Sequence, residues 1–238
     1  MKKIVKLSLF LCLTLSAFSQ EFRLGLQASP AFTWLNSNDN SIAGAGGNLA
    51  FKLGPIGEYY FQENYAFLGG LNLVFGAGGT LEHTFGGNLL PGTAASSNTT
   101  GLDSLPAGVD IKYNLQYLEI PFGLKFRTNE IGYLRYYAEI PFYVGINLQG
   151  RGNIQGTGVD TKKENIGPDV NALNISWGIG GGVEYILTEN TSLIGALSFQ
   201  SGFADITQTG TQVTANGEQP ENSKVTINTL NIKIGVMF

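Results

Sequence analysis

Apolar side chains recur at every second position along most of this 238-residue chain, and that period constrains its fold more than any other feature. In residues 117–127, Leu118, Ile120, Phe122, Leu124 and Phe126 alternate with Glu119, Pro121, Gly123, Lys125 and Arg127. A period of two places the first set on one face of a β-strand and the second set on the other. The same reading predicts seven further strands, at about residues 22–34, 46–61, 65–82, 133–149, 173–187, 192–204 and 225–238. Composition agrees. Glycine, a poor helix former, accounts for 33 residues, and 15 Phe with 10 Tyr exclude a disordered chain.

The connections fall into two alternating classes. Those near residues 62–64, 128–132 and 188–191 read as tight turns, whereas 36–45, 83–112, 150–172 and 207–224 read as long polar loops. Short turns at one end and long loops at the other are the habit of an outer-membrane barrel, which in bacterial single chains has an even number of strands. The expected fold is therefore all-β, an eight-stranded antiparallel up-and-down transmembrane β-barrel with both termini on the periplasmic side.

Charge decides which face meets lipid. Only 13% of residues are charged, about half of the ~25% usual in soluble domains. The strand charges all fall on the polar faces: Arg23, Lys52, Glu58, Glu119, Lys125, Arg127, Arg135, Glu139, Glu184 and Lys233. Inside an eight-stranded barrel, just wide enough for side chains to fill, they are expected to form a structural salt-bridge network. The opposite faces then meet hydrocarbon, and closure supplies the backbone partners that lipid cannot.

The start of the chain reads differently. Lys2, Lys3 and Lys6 precede an apolar stretch, 7–17, with Ala17 and Ser19 as small residues before an expected cut at Gln20. That pattern predicts a cleaved signal peptide over 1–19 and a barrel domain over 20–238. Its removal takes three lysines and the single cysteine, Cys12, and moves the formal net charge from −4 to about −7. Disulfides and thiolate metal sites are thereby excluded, and an acidic chain without basic runs is not expected to bind nucleic acid.

Several pieces carry a resemblance: residues 116–126, the run Gly180-Gly181-Gly182-Val183-Glu184-Tyr185, and the closing strand that ends in Phe238. With these, the chain resembles the PorT-type outer-membrane β-barrel proteins of Bacteroidota over essentially its whole mature length. The resemblance implies a cell outer membrane location and this architecture. Ile234, Val236 and Phe238 resemble the signal read by the barrel insertion machinery, a partner during biogenesis. One member of that family takes part in a protein secretion system linked to gliding motility.

Catalytic chemistry is sparse. The glycine clusters at 44–47, 76–79 and 178–182 complete no G-x-G-x-x-G pattern and open no helix, so they are read as room for neighbouring side chains. His83, the only histidine, is expected to be a solvated loop residue. No catalytic, cofactor or metal site is assigned, and the chain is read as a non-enzyme. The expected function is a structural or interaction role through the long extracellular loops, chiefly 83–112 and 150–172, where a protein partner would bind. The alternative is a PorT-like secretion component; a lipid-modifying enzyme or a narrow pore ranks lower.

Overall fold

The computed structural model describes residues 22–97 and 99–238. The expected signal peptide lies outside the described residues. The strands are β1 (Phe22–Ser37), β2 (Ile42–Gln62), β3 (Tyr65–Gly70), β4 (Asn72–His83), β5 (Val109–Arg127), β6 (Leu134–Gly156), β7 (Val159–Asn165), β8 (Leu173–Thr188), β9 (Thr191–Gly202), β10 (Thr211–Thr214), β11 (Gly217–Pro220) and β12 (Val225–Met237). A short helix, α1 (Pro91–Ser96), lies between β4 and β5.

Eight antiparallel staves close on themselves. Around the ring β1 pairs with β2, β2 with β3 and β4, these with β5, then β6, β8, β9 and β12, which returns to β1. Leu24 and the terminal Phe238 exchange backbone hydrogen bonds across the closure. No sheet edge is therefore left in the ring, as a wall in hydrocarbon requires.

The third predicted strand divides at Leu71 without losing its register. Pairs Ile56↔Gly70 and Leu53↔Leu73 belong to one continuous ladder, as do Gly69↔Phe122 and Asn72↔Glu119. In that ladder Pro55 faces Leu71 and Pro121 faces Gly70. Proline has no N–H, so two donors are missing around this one spot and the assigned strand is interrupted. One bond survives there, from the Leu71 amide to the Pro55 carbonyl at 3.0 Å.

Three of the four predicted long loops change in character. The stretch 36–45 is a four-residue turn between β1 and β2, and 150–172 is largely the end of β6 paired with β7. Within 207–224, β10 and β11 form a small hairpin. Strand β5 begins at Val109, well before the expected Tyr117. The barrel thus continues beyond its apolar belt as a taller sheet of β4, β5, β6 and β7.

Hydrophobicity inverts within β5. Between Leu118 and Phe126 the apolar side chains point outward; between Val109 and Tyr117 they point inward and are buried, while Lys112 and Asn114 are exposed. The backbone alternation does not slip. What changes is the surroundings, from lipid around the lower wall to water around the upper one. Bulges in both neighbours flank this level, at Leu148 in β6 and between Val74 and Ala77 in β4. The bulge in β4 includes Gly76, whose φ of 77° is a conformation side chains rarely adopt.

Candidate functional site

Two layers fill the barrel. The lower, toward the short turns, is charged. Lys125 Nζ donates to Glu58 Oε1 at 2.7 Å and to Glu184. Arg23 donates to Glu184 Oε2 at 3.1 Å and to Ser192 Oγ at 2.6 Å, and the Tyr60 hydroxyl donates to Glu58 Oε2 at 2.7 Å. Above them Lys52 Nζ reaches both oxygens of Glu119, at 2.9 and 3.1 Å, and Gln200 Oε1 at 2.6 Å. Gln200 in turn donates to Glu119 and to Ser176. Lys233 pairs with Glu139.

Burial makes these pairs interdependent. Lys125 is 2% exposed and Glu184 0%. A charge so buried is tolerated only when paired and hydrogen-bonded, and deleting one partner typically costs about 3–5 kcal/mol. Alternation brings the groups inside; the stagger of the strands decides who meets whom. Glycine makes the room: a Cβ on Gly180 would stand 2.7 Å from Ser198 Cβ and 3.1 Å from Glu139 Oε1.

Two of the ten charges expected in the lumen stand at its periplasmic rim. Arg135 pairs with Glu130 of the adjoining turn at 3.3 Å, both partly exposed. Arg127 lies over the Tyr60 ring at 3.7 Å and donates to the Glu63 carbonyl at 3.0 Å. Between the charged groups remains a cavity of about 40 Å³, lined in part by Gln27, Asn72, Glu119, Glu139, Asn231 and Lys233. That volume holds roughly two or three waters. Gln27 Oε1 and Asn231 Oδ1 are buried without a hydrogen-bond partner among the described residues.

The upper layer is apolar, which alternation in the lower wall did not foretell. Leu35, Leu81, Ile111, Leu115 and Ile154 point in from the strands. The connections drop Leu89, Leu90, Leu102, Leu105, Ile166 and Ile206 onto them. The loops are thereby a folded cap with its own hydrophobic core. A carboxylate locks it: Asp169, 2% exposed, accepts from the backbone amides of Gly92 and Thr93 at 2.7 Å each, and from the Thr93 hydroxyl. These are the orphan donors at the start of α1, satisfied from a different loop.

His83 belongs to this cap and is buried, 5% exposed, which corrects the expectation of a solvated loop residue. It stands at the end of β4 between Ile42 and Val109, inside the water-facing sheet extension. Its Nε2 has no hydrogen-bond partner among the described residues, and burial pushes its pKa down to about 4. The ring is consequently neutral at pH 7. Among the described residues no group of three or more His, Cys, Asp or Glu is placed to hold a metal. Ile234 and Phe238 face outward near the closure of the barrel, with Val236 partly buried between them.

An all-β ring with an apolar outer wall, a charged interior and short turns at one end defines an integral outer-membrane barrel. The model of the outer membrane protein beta-barrel domain family matches residues 18–208, and the chain belongs to that family. No curated protein matches the sequence. Among solved structures, Neisserial surface protein A is similar at 12% identity with a TM-score of 0.46, covering 92% of this chain and 98% of that one. Ail, the attachment invasion locus protein of Yersinia pestis, is similar at 12% identity and a TM-score of 0.39, covering 92% and 99%. The outer membrane protease OmpT of Escherichia coli is similar at 7% identity and a TM-score of 0.39, covering 92% and 95%. The protein resides in the outer membrane, with its apolar belt against lipid.

Proposed function

We propose that this barrel is an anchored interaction module that presents its folded outer cap to a protein partner. The observation that supports this reading is the filling of the lumen by two different layers. Charged pairs occupy the lower half and an apolar core the upper half, so the interior offers a plug and the exposed cap offers a surface. At its top, Phe85 and Val213 are exposed apolar side chains on neighbouring segments, joined by a hydrogen bond from the Val213 amide to the Gly86 carbonyl at 2.7 Å. Functional surfaces concentrate on loops held by rigid scaffolds.

Photo-crosslinking in intact cells tests it. A crosslinker at Phe85 or Val213 is expected to capture one discrete protein, while one at Phe122 in the lipid-facing wall captures none. Absence of any protein adduct from the cap positions would overturn the reading. The finer likeness to PorT-type secretion components rests on the Tyr117-Leu118-Glu119-Ile120-Pro121 stretch and has its own assay. Deleting the gene and measuring secreted cargo should show a loss if the chain serves that machinery, and unchanged secretion would remove the idea.

A further inference from the structure

We infer that the outer wall of the sheet extension binds the phosphate of an outer-leaflet glycolipid, through Lys112, Arg151 and Lys163. Above the Gln116–Gln149 pair that borders the apolar belt, the pairing registers stack the exposed face of this sector into three rows. The first is Asn114–Arg151–Asn165, and the next is Thr80–Lys112–Asn153. Lys163 joins the second row, because its amide donates to Asn153 Oδ1 at 2.9 Å. The third, farthest from the belt, is Glu82–Asp110–Gln155–Asp160. On this face cations and amides thus lie toward the membrane and the acids above them, while Glu164, level with the cations, is engaged by the Ser97 and Thr99 hydroxyls.

Height fits the headgroup layer. Arg151 is three residues beyond Leu148, the last outward apolar residue of β6. At about 3.3 Å per residue and a tilt of roughly 40°, its Cα stands about 8 Å above the hydrocarbon. The polar layer on each side of a bilayer is about 5–8 Å thick. A flexible side chain at that height therefore lies among headgroups, and Lys112 reaches the same zone from above.

The three cations are available. Lys112, Arg151 and Lys163 are exposed, and none has a carboxylate partner among the described residues. Arg151 instead donates across β7 to the Lys163 carbonyl at 3.3 Å. Lys163 holds a φ of 58°, the only positive value at a non-glycine among the described residues. A strained backbone persists where the surroundings enforce it, and such points gather at ligand sites. Two amides of the first row, Asn114 and Asn165, add neutral donors beside the guanidinium. Fork-shaped donors flanked by point charges suit a phosphate.

The experiment places full-length mature protein in nanodiscs of phosphatidylcholine doped with monophosphoryl lipid A and reads retained lipid by native mass spectrometry. Wild type is expected to retain lipid A. The variant Lys112→Gln/Arg151→Gln/Lys163→Gln is expected to lose affinity by roughly fivefold per charge removed. Lys224→Gln, on the opposite sector, leaves retention unchanged. Arg151→Gln alone serves if the triple variant misfolds, judged by its unheated gel mobility. Equal retention by wild type and charge variants would overturn the proposal, as would equal retention of dephosphorylated lipid A. Binding of soluble polyphosphate without enrichment of lipid A would overturn it too, and would assign the surface to soluble polyanions.

Discussion

Asp169 and Thr93 hold together two connections that are 76 residues apart in the chain, one carboxylate oxygen accepting from both the amide and the hydroxyl of the threonine. The cap depends on this contact, because α1 has one turn and a half and no side-chain cap of its own. A helix so short does not persist on propensity alone.

Asp169→Ala is therefore expected to loosen the cap while leaving the barrel inserted. The buried amides of Gly92 and Thr93 lose their acceptor, at a cost of about 1–3 kcal/mol. Protease added to whole cells should cut between residues 84 and 108 faster in the variant. Equal resistance would show that the apolar core alone holds the loop.

In the charged layer, Lys125→Met leaves Glu58 and Glu184 facing each other without their shared cation. A loss of about 3–5 kcal/mol is expected in detergent unfolding by urea. Lys233→Met should likewise destabilise, and Lys233→Met/Glu139→Leu should recover much of that loss. A double variant weaker than the single one would contradict the account of these residues as a closed pair.

Acid is expected to loosen the outer sheet through His83. Its folded pKa is held down to about 4 against an ordinary 6.5. As pH falls from 6.5, the opened form takes up a proton that the closed form refuses. Stability is thus full above pH 6.5, declines toward pH 4, and loses at most about 3 kcal/mol. Hydrogen exchange at the Leu81 and Ile111 amides should accelerate over that interval. In His83→Leu the pH dependence should vanish, and its persistence would point to other groups.

The inversion of polarity in β5 has a direct test. Phe122→Arg puts a charge into hydrocarbon and is expected to cost about 2–4 kcal/mol, whereas a charge near the interface costs about 0–1. Asn114→Arg, above the belt, should leave detergent and bilayer stability unchanged. Similar costs at both positions would contradict the placement of the membrane boundary near Tyr117.

The lipid-facing wall was legible because each of its strands keeps one phase against one solvent. Residues 118–126 needed only counting. The outer extension was hidden for a physical reason: Asp110 and Lys112 read as the end of a polar loop, although Val109, Ile111, Tyr113 and Leu115 alternate with Asp110, Lys112, Asn114 and Gln116 in the opposite sense. Arg151 was hidden by the bulge at Leu148, which reverses the parity of β6, so counting from Asn147 would turn it inward. The charges of the lumen were readable only in part: alternation selects the inward positions, but Arg127 and Arg135, at the strand ends, stand at the rim. The pairing of the charges was not readable, because Lys125 meets Glu184 through strand stagger across the barrel. Asp169 leaves no sequence signal, as its partners lie in a distant loop.

The reversal at Tyr117 also fixes how deep the protein floats. Sliding the barrel inward by four residues would drag Gln116 and Asn114 into hydrocarbon, and sliding it outward as far would strand Leu118 and Ile120 in water. Every stave that carries the reversal votes for one waterline. The same alphabet that specifies the strand register thereby specifies draught, so the cap stands at a set distance above the hydrocarbon.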